Sequence, residues 1–211
     1  MNHVWRLGVF LGIAAVFLSG CMVPRVVVDP TYGKAKYEDL VRKGDPFKWK
    51  VAVEMQWNGV HQPRHDMTLR HHVERVLRNS GLILPTPDST AGEIKVVLND
   101  TADVEAARAK GLATAFSFGI VGNTVTDYLE MDIAISANGK TIKKTGLKHA
   151  CHSTVGDAKI PEDLEVLSPS ESFGRAVEQM LLNGLKELQE SGELSMLQPS
   201  AGNGSRRSVH G

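Results

Sequence analysis

The sequence predicts an α+β fold, a two-layer sandwich of about four mostly antiparallel strands with two helices on one face. Three observations predict it. Residues 48–57 and 128–137 alternate apolar and polar side chains, as half-buried strands do. Residues 67–80 and 169–191 instead repeat apolar side chains with the period of an amphipathic helix. The element order is strand, helix, strand, hairpin, helix, which is typical of helices segregated to one face of an antiparallel sheet.

The first predicted strand and helix follow each other directly. The apolar face of the strand KWKVAVEMQW consists of Trp49, Val51, Val53, Met55 and Trp57. The buried stripe of the helix MTLRHHVERVLRNS consists of Leu69, Val73, Val76 and Leu77. Asp66 precedes this helix as an expected N-cap. Gly81 follows it where a left-handed terminating residue belongs.

A second strand and a hairpin complete the predicted sheet. The strand EIKVVLN places Ile94, Val96 and Leu98 on one side. In the hairpin, Asn138-Gly139 favours a two-residue primed turn, which pairs Ile135 with Ile142.

Strict alternation after this turn would place lysines on the buried face. We therefore predict a bulge at Gly146. It returns Leu147, His149 and Cys151 to the buried face.

The last helix has the strongest local signature. Ser168-Pro169-Ser170-Glu171 is a capping box with proline at the first helical position. The apolar stripe after it consists of Phe173, Val177, Met180, Leu181, Leu185 and Leu188, and Gly192 ends the helix.

The N-terminus carries an address signal. One basic residue, Arg6, precedes an uninterrupted apolar run from Leu7 to Leu18. That run is shorter than the about 20 residues a membrane-spanning helix needs, and the pattern is that of a secretory signal. Leu18-Ser19-Gly20-Cys21 then resembles the lipobox of bacterial lipoproteins.

This resemblance implies cleavage between Gly20 and Cys21 and acylation of Cys21. Several acyl chains on one residue anchor a protein durably, whereas one chain binds only marginally. In that family an Asp after the modified cysteine favours the inner membrane. Met22 stands here instead, so the resemblance implies the periplasmic face of the outer membrane.

Four segments are therefore expected. Residues 1–20 are the lipoprotein signal peptide, 21–47 are the lipidated cysteine and a tether with one short edge strand at Arg25–Val28, 48–196 are the α+β periplasmic domain, and 197–211 are a polar, glycine-rich, disordered tail.

Composition limits the function. The 211-residue chain balances 24 basic against 24 acidic residues. A nucleic-acid-binding protein shows a basic patch or stripe, so we predict no nucleic-acid partner. The sequence contains no glycine-rich phosphate loop and no C-x-x-C pair, and it suggests no catalytic constellation. We therefore predict a protein without cofactor or enzymatic activity.

Residues 111–122 form an apolar, glycine-rich segment between polar stretches. One interpretation is a buried strand or hairpin of the sheet. The other is a loop that touches a membrane or a partner protein, because exposed apolar patches mark interaction sites. Its apolar side chains include Leu112, Phe116, Phe118, Ile120 and Val121.

Two groups of histidines could suggest a metal site. His61, His65, His71 and His72 lack the spacing of a metal-binding helix, so the candidates are His149, Cys151 and His152. His149 and Cys151 share one face of a strand, which is compatible with zinc or copper. The alternative, which we favour, is that they serve packing and hydrogen bonding, with no metal bound.

The order of elements, together with the lipobox, also resembles small α+β outer-membrane lipoproteins such as the lipopolysaccharide-assembly subunit of the LptE type. This resemblance implies an accessory or scaffold subunit of a cell-envelope complex, bound to the membrane by its lipid and to an envelope protein partner. The alternative function is a periplasmic metal- or small-ligand-binding lipoprotein that uses the His149/Cys151 region.

Overall fold

The computed structural model describes residues 24–42, 44–101, 123–155, 159–160 and 162–197. These residues form seven strands and two α-helices. In chain order the elements are β1 (Arg25–Val28), a short 3-10 helix (Tyr37–Asp39), β2 (Phe47–Trp57), β3 (Val60–His61), α1 (Pro63–Ser80), β4 (Ile83–Pro85), β5 (Gly92–Thr101), β6 (Asn123–Ala137), β7 (Lys140–Val155), α2 (Pro169–Glu190) and a second 3-10 helix (Glu193–Leu197).

The strands form one mixed sheet in the order β1-β7-β6-β5-β2-β3, with β4 beside β2. Neighbouring strands are antiparallel except that β2 runs parallel to β5 and to β4. The predicted α+β class is confirmed, but the sheet has seven strands rather than four. The expected edge strand at Arg25–Val28 is present, whereas β3 and β4 were missed because two and three residues show no alternation.

Both helices contribute to one core with the inner face of the sheet. Leu77 of α1 and Leu185 of α2 belong to the same buried cluster as Ile133 of β6. The predicted inner residues of β5 and β6 are all buried: Ile94, Val96, Leu98, Leu129, Met131, Ile133 and Ile135. On β2 the predicted face is correct except at its end, where Trp57 is 50% exposed.

The β6–β7 hairpin confirms the predicted turn and bulge. Asn138 and Gly139 have φ of 51° and 71°, and Ile135 pairs with Ile142. The register shifts between Met131, which pairs with Leu147, and Ile133, which pairs with Lys144. Gly146 lies in the β7 segment between these pairs.

The backbone at Gly146 is left-handed, with φ of 69°. Its N–H donates a hydrogen bond to Asp132 Oδ1 at 2.9 Å. Because of the bulge, Leu147, His149 and Cys151 are all buried, as predicted.

Helix α1 begins earlier than predicted, and the expected Asp66 cap is wrong. Gln62 is the N-cap, followed by Pro63 at the first helical position. The Asp66 carboxylate instead accepts a hydrogen bond from the Met55 N–H at 2.8 Å and contacts His61 Nε2 at 2.8 Å. It therefore fastens the first turn of the helix to β2 and β3. The helix ends at Gly81 with φ of 69°, as predicted.

The capping box of α2 is confirmed. Ser168 Oγ accepts a hydrogen bond from the Glu171 N–H at 3.3 Å, and Glu171 Oε2 accepts one from the Ser168 N–H at 2.9 Å. These two bonds satisfy backbone donors that the helix itself leaves without a partner.

Residues 24–42 fall within the predicted tether, but they pack against the domain. After β1 the chain crosses α2, where Asn183 Nδ2 donates to the Gly33 carbonyl at 2.8 Å. Gln189 donates to the Val41 carbonyl at 2.7 Å and accepts from the Val41 N–H at 3.0 Å. Ala35 and Leu40 are buried.

The signal peptide 1–20, the lipidation residue Cys21, the tail beyond Leu197 and the apolar segment with Leu112, Phe116, Phe118, Ile120 and Val121 lie outside the described residues. Among those that the structure describes, no helix combines the length and apolarity needed to cross a membrane.

Candidate functional site

The candidate site lies at the end of the sheet where β2 and β5 stop. Trp57, at the end of β2, is the register partner of Asp100, which in turn pairs with Leu129 of β6. Asp100 continues the inner-face alternation of β5 by one more step. Asp127 does the same on β6, so both carboxylates lie on the face that carries the helices.

A cavity of about 140 Å³ opens between this end of the sheet and the first turn of α2. Its lining residues are Val26, Asp100, Asp127, Leu129, Cys151, Ser153, Pro169, Ser172 and Phe173. Two acidic groups, a thiol and two hydroxyl-bearing residues thus share one small space with apolar walls.

Asp100 is held in an environment that disfavours its charged form. Burial, together with the nearby charge of Asp127, raises the pKa of Asp100 from 3.8 to about 6, while a hydrogen bond with the Trp57 side chain opposes the rise. Asp100 Oδ1 is buried and has no hydrogen-bond partner among the described residues. A buried acceptor without a donor is costly, so this oxygen favours protonation or a bound donor.

Asp127 lies one strand away in the same cavity. Burial raises the pKa of Asp127, and the nearby His152 opposes this rise. Two carboxylates in one poorly solvated space resist ionising together. The pair can therefore retain a proton or accept hydrogen bonds from a cationic group.

Cys151 is buried and lines the cavity. Its Sγ lies 4.0 Å from the Ser172 carbonyl oxygen. Burial, aided by the charges of Asp127 and Asp100, raises the pKa of Cys151 to about 12. The thiolate is the nucleophilic and metal-binding form, so this thiol is a poor nucleophile and a poor ligand.

His149 uses both ring nitrogens within the protein. Nε2 lies 2.7 Å from Gln179 Oε1, an acceptor, so Nε2 carries the proton. Nδ1 accepts a hydrogen bond from the Ala150 N–H at 2.9 Å. The ring also stacks on Tyr32, with centroids 5.1 Å apart. No nitrogen of His149 is left to bind a metal.

His152 lies on the opposite face of β7 from His149 and Cys151. Nδ1 lies 2.9 Å from Thr126 Oγ1, and Nε2 lies 3.2 Å from Asp29 Oδ2. Burial raises the pKa of Asp29, but hydrogen bonds from Thr31 and His152 outweigh it and hold that pKa below its ordinary value.

The structure therefore brings His149 and Cys151 to one face, as predicted, but does not gather the three candidate ligands. Within the described ranges, no group of three or more His, Cys, Asp or Glu side chains is arranged to hold a metal ion.

Sequence reasoning missed Asp100 and Asp127. The signal that could have found them is the alternation itself. The inner faces of β5 and β6 extend by two residues beyond Leu98 and before Leu129, and each extension ends on an aspartate.

No protein-family model and no curated protein matches the chain. A crystal structure of a Xanthomonas campestris protein of the DUF330 family is 12% identical, with a TM-score of 0.30, and the match covers 73% of this chain and 91% of that one. A second crystal structure, of an uncharacterized protein, is 12% identical with a TM-score of 0.24, covering 72% and 92%. Likenesses this loose assign no activity.

Proposed function

We propose that this chain is a lipoprotein, anchored by acyl groups on Cys21 at the periplasmic face of the outer membrane. Its α+β domain serves there as a non-enzymatic accessory subunit of a cell-envelope complex. The observation that carries the proposal is the lipobox Leu18-Ser19-Gly20-Cys21 at the end of a short apolar run.

The position of β1 supports this proposal. The strand begins at Arg25, only four residues after Cys21, and an extended chain of that length reaches about 14 Å. Along its length β1 pairs with β7, from Arg25 with Thr154 to Val28 with Cys151. Leu167 closes the other side of β1 through two backbone hydrogen bonds with Val26, at 3.1 and 2.8 Å. A lipid on Cys21 therefore holds the sheet itself close to the bilayer.

Partner contact is proposed through the outer face of the sheet or the apolar residues 111–122. The described neighbours of that segment, Thr101 and the start of β6 at Asn123, lie at the same end of the sheet as Arg25. On the outer face, Tyr128 is a large aromatic residue that is 58% exposed. Exposed aromatic residues are common at protein interfaces.

The anchor is tested by intact mass of the chain extracted from the envelope. The proposal expects a chain that begins at Cys21 and carries acyl groups. Cys21→Ser provides the control, because it cannot form the thioether. An unmodified N-terminus, or residues 1–20 still attached, contradicts the proposal.

The partner is tested by in-cell crosslinking. A photoreactive residue at position 128 should give a reproducible adduct with an envelope protein. The same residue at position 190 is the matched control, because Glu190 is exposed at the far end of α2. If neither position yields a reproducible partner, the accessory role is wrong.

Small-ligand binding in the acidic cavity is a second candidate function. It is favoured by Asp100 Oδ1, which is buried without a donor among the described residues. Thermal unfolding with and without added zinc or copper tests the metal version of this function. A midpoint that rises in the wild type but not in Asp100→Asn supports it, and a midpoint that ignores both metals rules that version out.

A further inference from the structure

The corner between β2, β3 and α1 exposes three large apolar side chains. Trp57 is 50% exposed, Val60 is 62% exposed and Met67 is 73% exposed. All three lie within eleven consecutive positions, 57–67, whereas most large apolar residues of the described chain are buried. We call Trp57, Val60, Arg64, His65 and Met67 the hairpin corner.

The hairpin corner is a built feature of the fold. Val60 is the cross-strand partner of Trp57, and the His65 ring lies 5.6 Å from the Trp57 ring. The Asp66 carboxylate joins this turn of α1 to Met55 of β2 and to His61 of β3. The exposed apolar side chains are therefore presented by a hydrogen-bonded framework.

The chemistry of the hairpin corner suits the surface of a phospholipid bilayer. The Trp57 N–H is bonded to the Asp100 carboxylate, so the exposed part of the ring offers apolar surface, and aromatic rings held in this way are favoured at membrane interfaces. Arg64 is also exposed and can meet lipid phosphates. Apolar side chains of such a surface enter the boundary between headgroups and acyl chains.

The chain also enters the domain from this side. Arg25, at the start of β1, and Trp57, at the end of β2, lie at the same end of the sheet. Four strand spacings, or about 19 Å across the sheet, separate β1 from β2. Strands β6, β7 and β1 project about five residues, or about 17 Å, beyond the end of β2. Cys21 can lie up to about 14 Å from Arg25. If the domain is tilted relative to the bilayer, the lipid on Cys21 and the hairpin corner can therefore reach the same membrane surface.

We infer that the hairpin corner rests on the phospholipid surface of the same membrane that holds the acylated Cys21. This inference rests on the proposed function, because the lipid on Cys21 supplies the membrane. The inference goes further than the proposed function, because it assigns the face of the domain that contacts the bilayer and the orientation of the domain on the membrane.

The experiment uses the acylated chain reconstituted in vesicles of phosphatidylcholine with and without brominated acyl chains. Cleavage of the leader removes Trp5, which leaves Trp57 and Trp49, and Trp49 is only 2% exposed. Bromine quenches tryptophan at short range, so a Trp57 ring at the boundary between headgroups and acyl chains should lose fluorescence in the brominated vesicles. The variant Trp57→Phe should lose most of this quenching, because Trp49 remains in the core.

A matched pair of variants tests the neighbouring side chains. Val60→Ser combined with Met67→Ser should reduce the quenching of Trp57. Leu84→Ser is the control, because Leu84 is also an exposed apolar residue but lies in β4, beside the start of β2. Equal effects of the two changes contradict the inference.

The outcomes separate the two proposals. An acylated, vesicle-bound chain whose Trp57 is not quenched overturns the inference and leaves the anchor intact. A Cys21 that mass spectrometry finds unmodified overturns both. A photoreactive residue at position 57 that crosslinks in cells to an envelope protein instead of lipid also overturns the inference.

Discussion

The side chain of Trp57 is hydrogen-bonded to the Asp100 carboxylate, which joins an exposed aromatic residue to a half-buried acid. The two residues are register partners on the parallel strands β2 and β5. On its other side Asp100 faces Asp127 across the cavity. The charge state of Asp100 is therefore linked to the hydrogen bond at the end of β2. Titration of Asp100 should affect the stability of this end of the domain.

We predict that Asp100 makes the domain less stable as pH rises from about 4 to about 6. Its pKa is raised from 3.8 to about 6, so the folded state binds this proton more tightly than the unfolded state. Stability from the proton is fully present below 3.8 and is lost as pH passes through the folded pKa. Because Asp100 is partly exposed, we expect a loss of about 1 kcal/mol.

Chemical denaturation of the wild type and Asp100→Asn between pH 4 and 7 measures this difference. Asparagine cannot ionise, so the variant should lose less stability over the range. Asp88→Asn is the control, because Asp88 is exposed in the loop between β4 and β5. Parallel stability curves for wild type and Asp100→Asn contradict the prediction.

The main strands could be predicted because one face of each is buried and the other is solvated. A one-residue slip would expose a whole apolar face, so alternation specifies the register strongly. The bulge followed from the same rule. Without it, Lys148 would occupy an inner position, and a glycine was available at the point where the phase had to change. Lys144 precedes the bulge and keeps the inner register position opposite Ile133, where its Nζ forms an ion pair with Glu187 of α2.

Gly146→Ala should destabilise the domain by about 1 kcal/mol through the backbone alone. A Cβ at this position meets nothing within 4 Å, so no steric clash contributes. The cost arises from φ of 69°, which side chains other than glycine adopt poorly. Gly146→Asn should cost less, because asparagine tolerates left-handed backbone, and denaturant midpoints of the three proteins give the order. An alanine variant as stable as wild type would show that the bulge relaxes.

The remaining features depend on tertiary contacts that no local pattern encodes. The cap at Asp66 was a sound local expectation, but Met55 and His61 take both of its oxygens. The strands β3 and β4 exist because β2 offers them an edge. Trp57 continues the inner face of β2, yet it is half exposed. It lies at the end of the sheet where the helices start, so they do not cover it. The acidic cavity forms only when β5, β6, β7 and α2 meet.

Ser168→Ala should lower the free energy of unfolding by about 1 kcal/mol. The change removes the acceptor for the Glu171 N–H and the hydroxyl that donates to Glu171 Oε2 at 2.6 Å. Ser170→Ala is the matched control, because Ser170 is exposed in the same helical turn. Urea denaturation should show a lower midpoint for the first variant alone, and an equal loss for both would assign the effect to the turn as a whole.

The number of reactive thiols connects the fold with the anchor. If Cys21 carries a thioether, the mature chain has one free thiol, Cys151, which is buried with a pKa raised to about 12. A thiol reagent should therefore find essentially no reactive group in the native protein at pH 8. In denaturant the thiol is exposed and its pKa returns to about 8.5, so one equivalent of the reagent should react.

The control Cys151→Ser should give no reaction in either state. If the denatured wild type reacts with two equivalents of the reagent, Cys21 is not acylated. If the native protein reacts rapidly, the Cys151 thiol is open to solvent through the cavity.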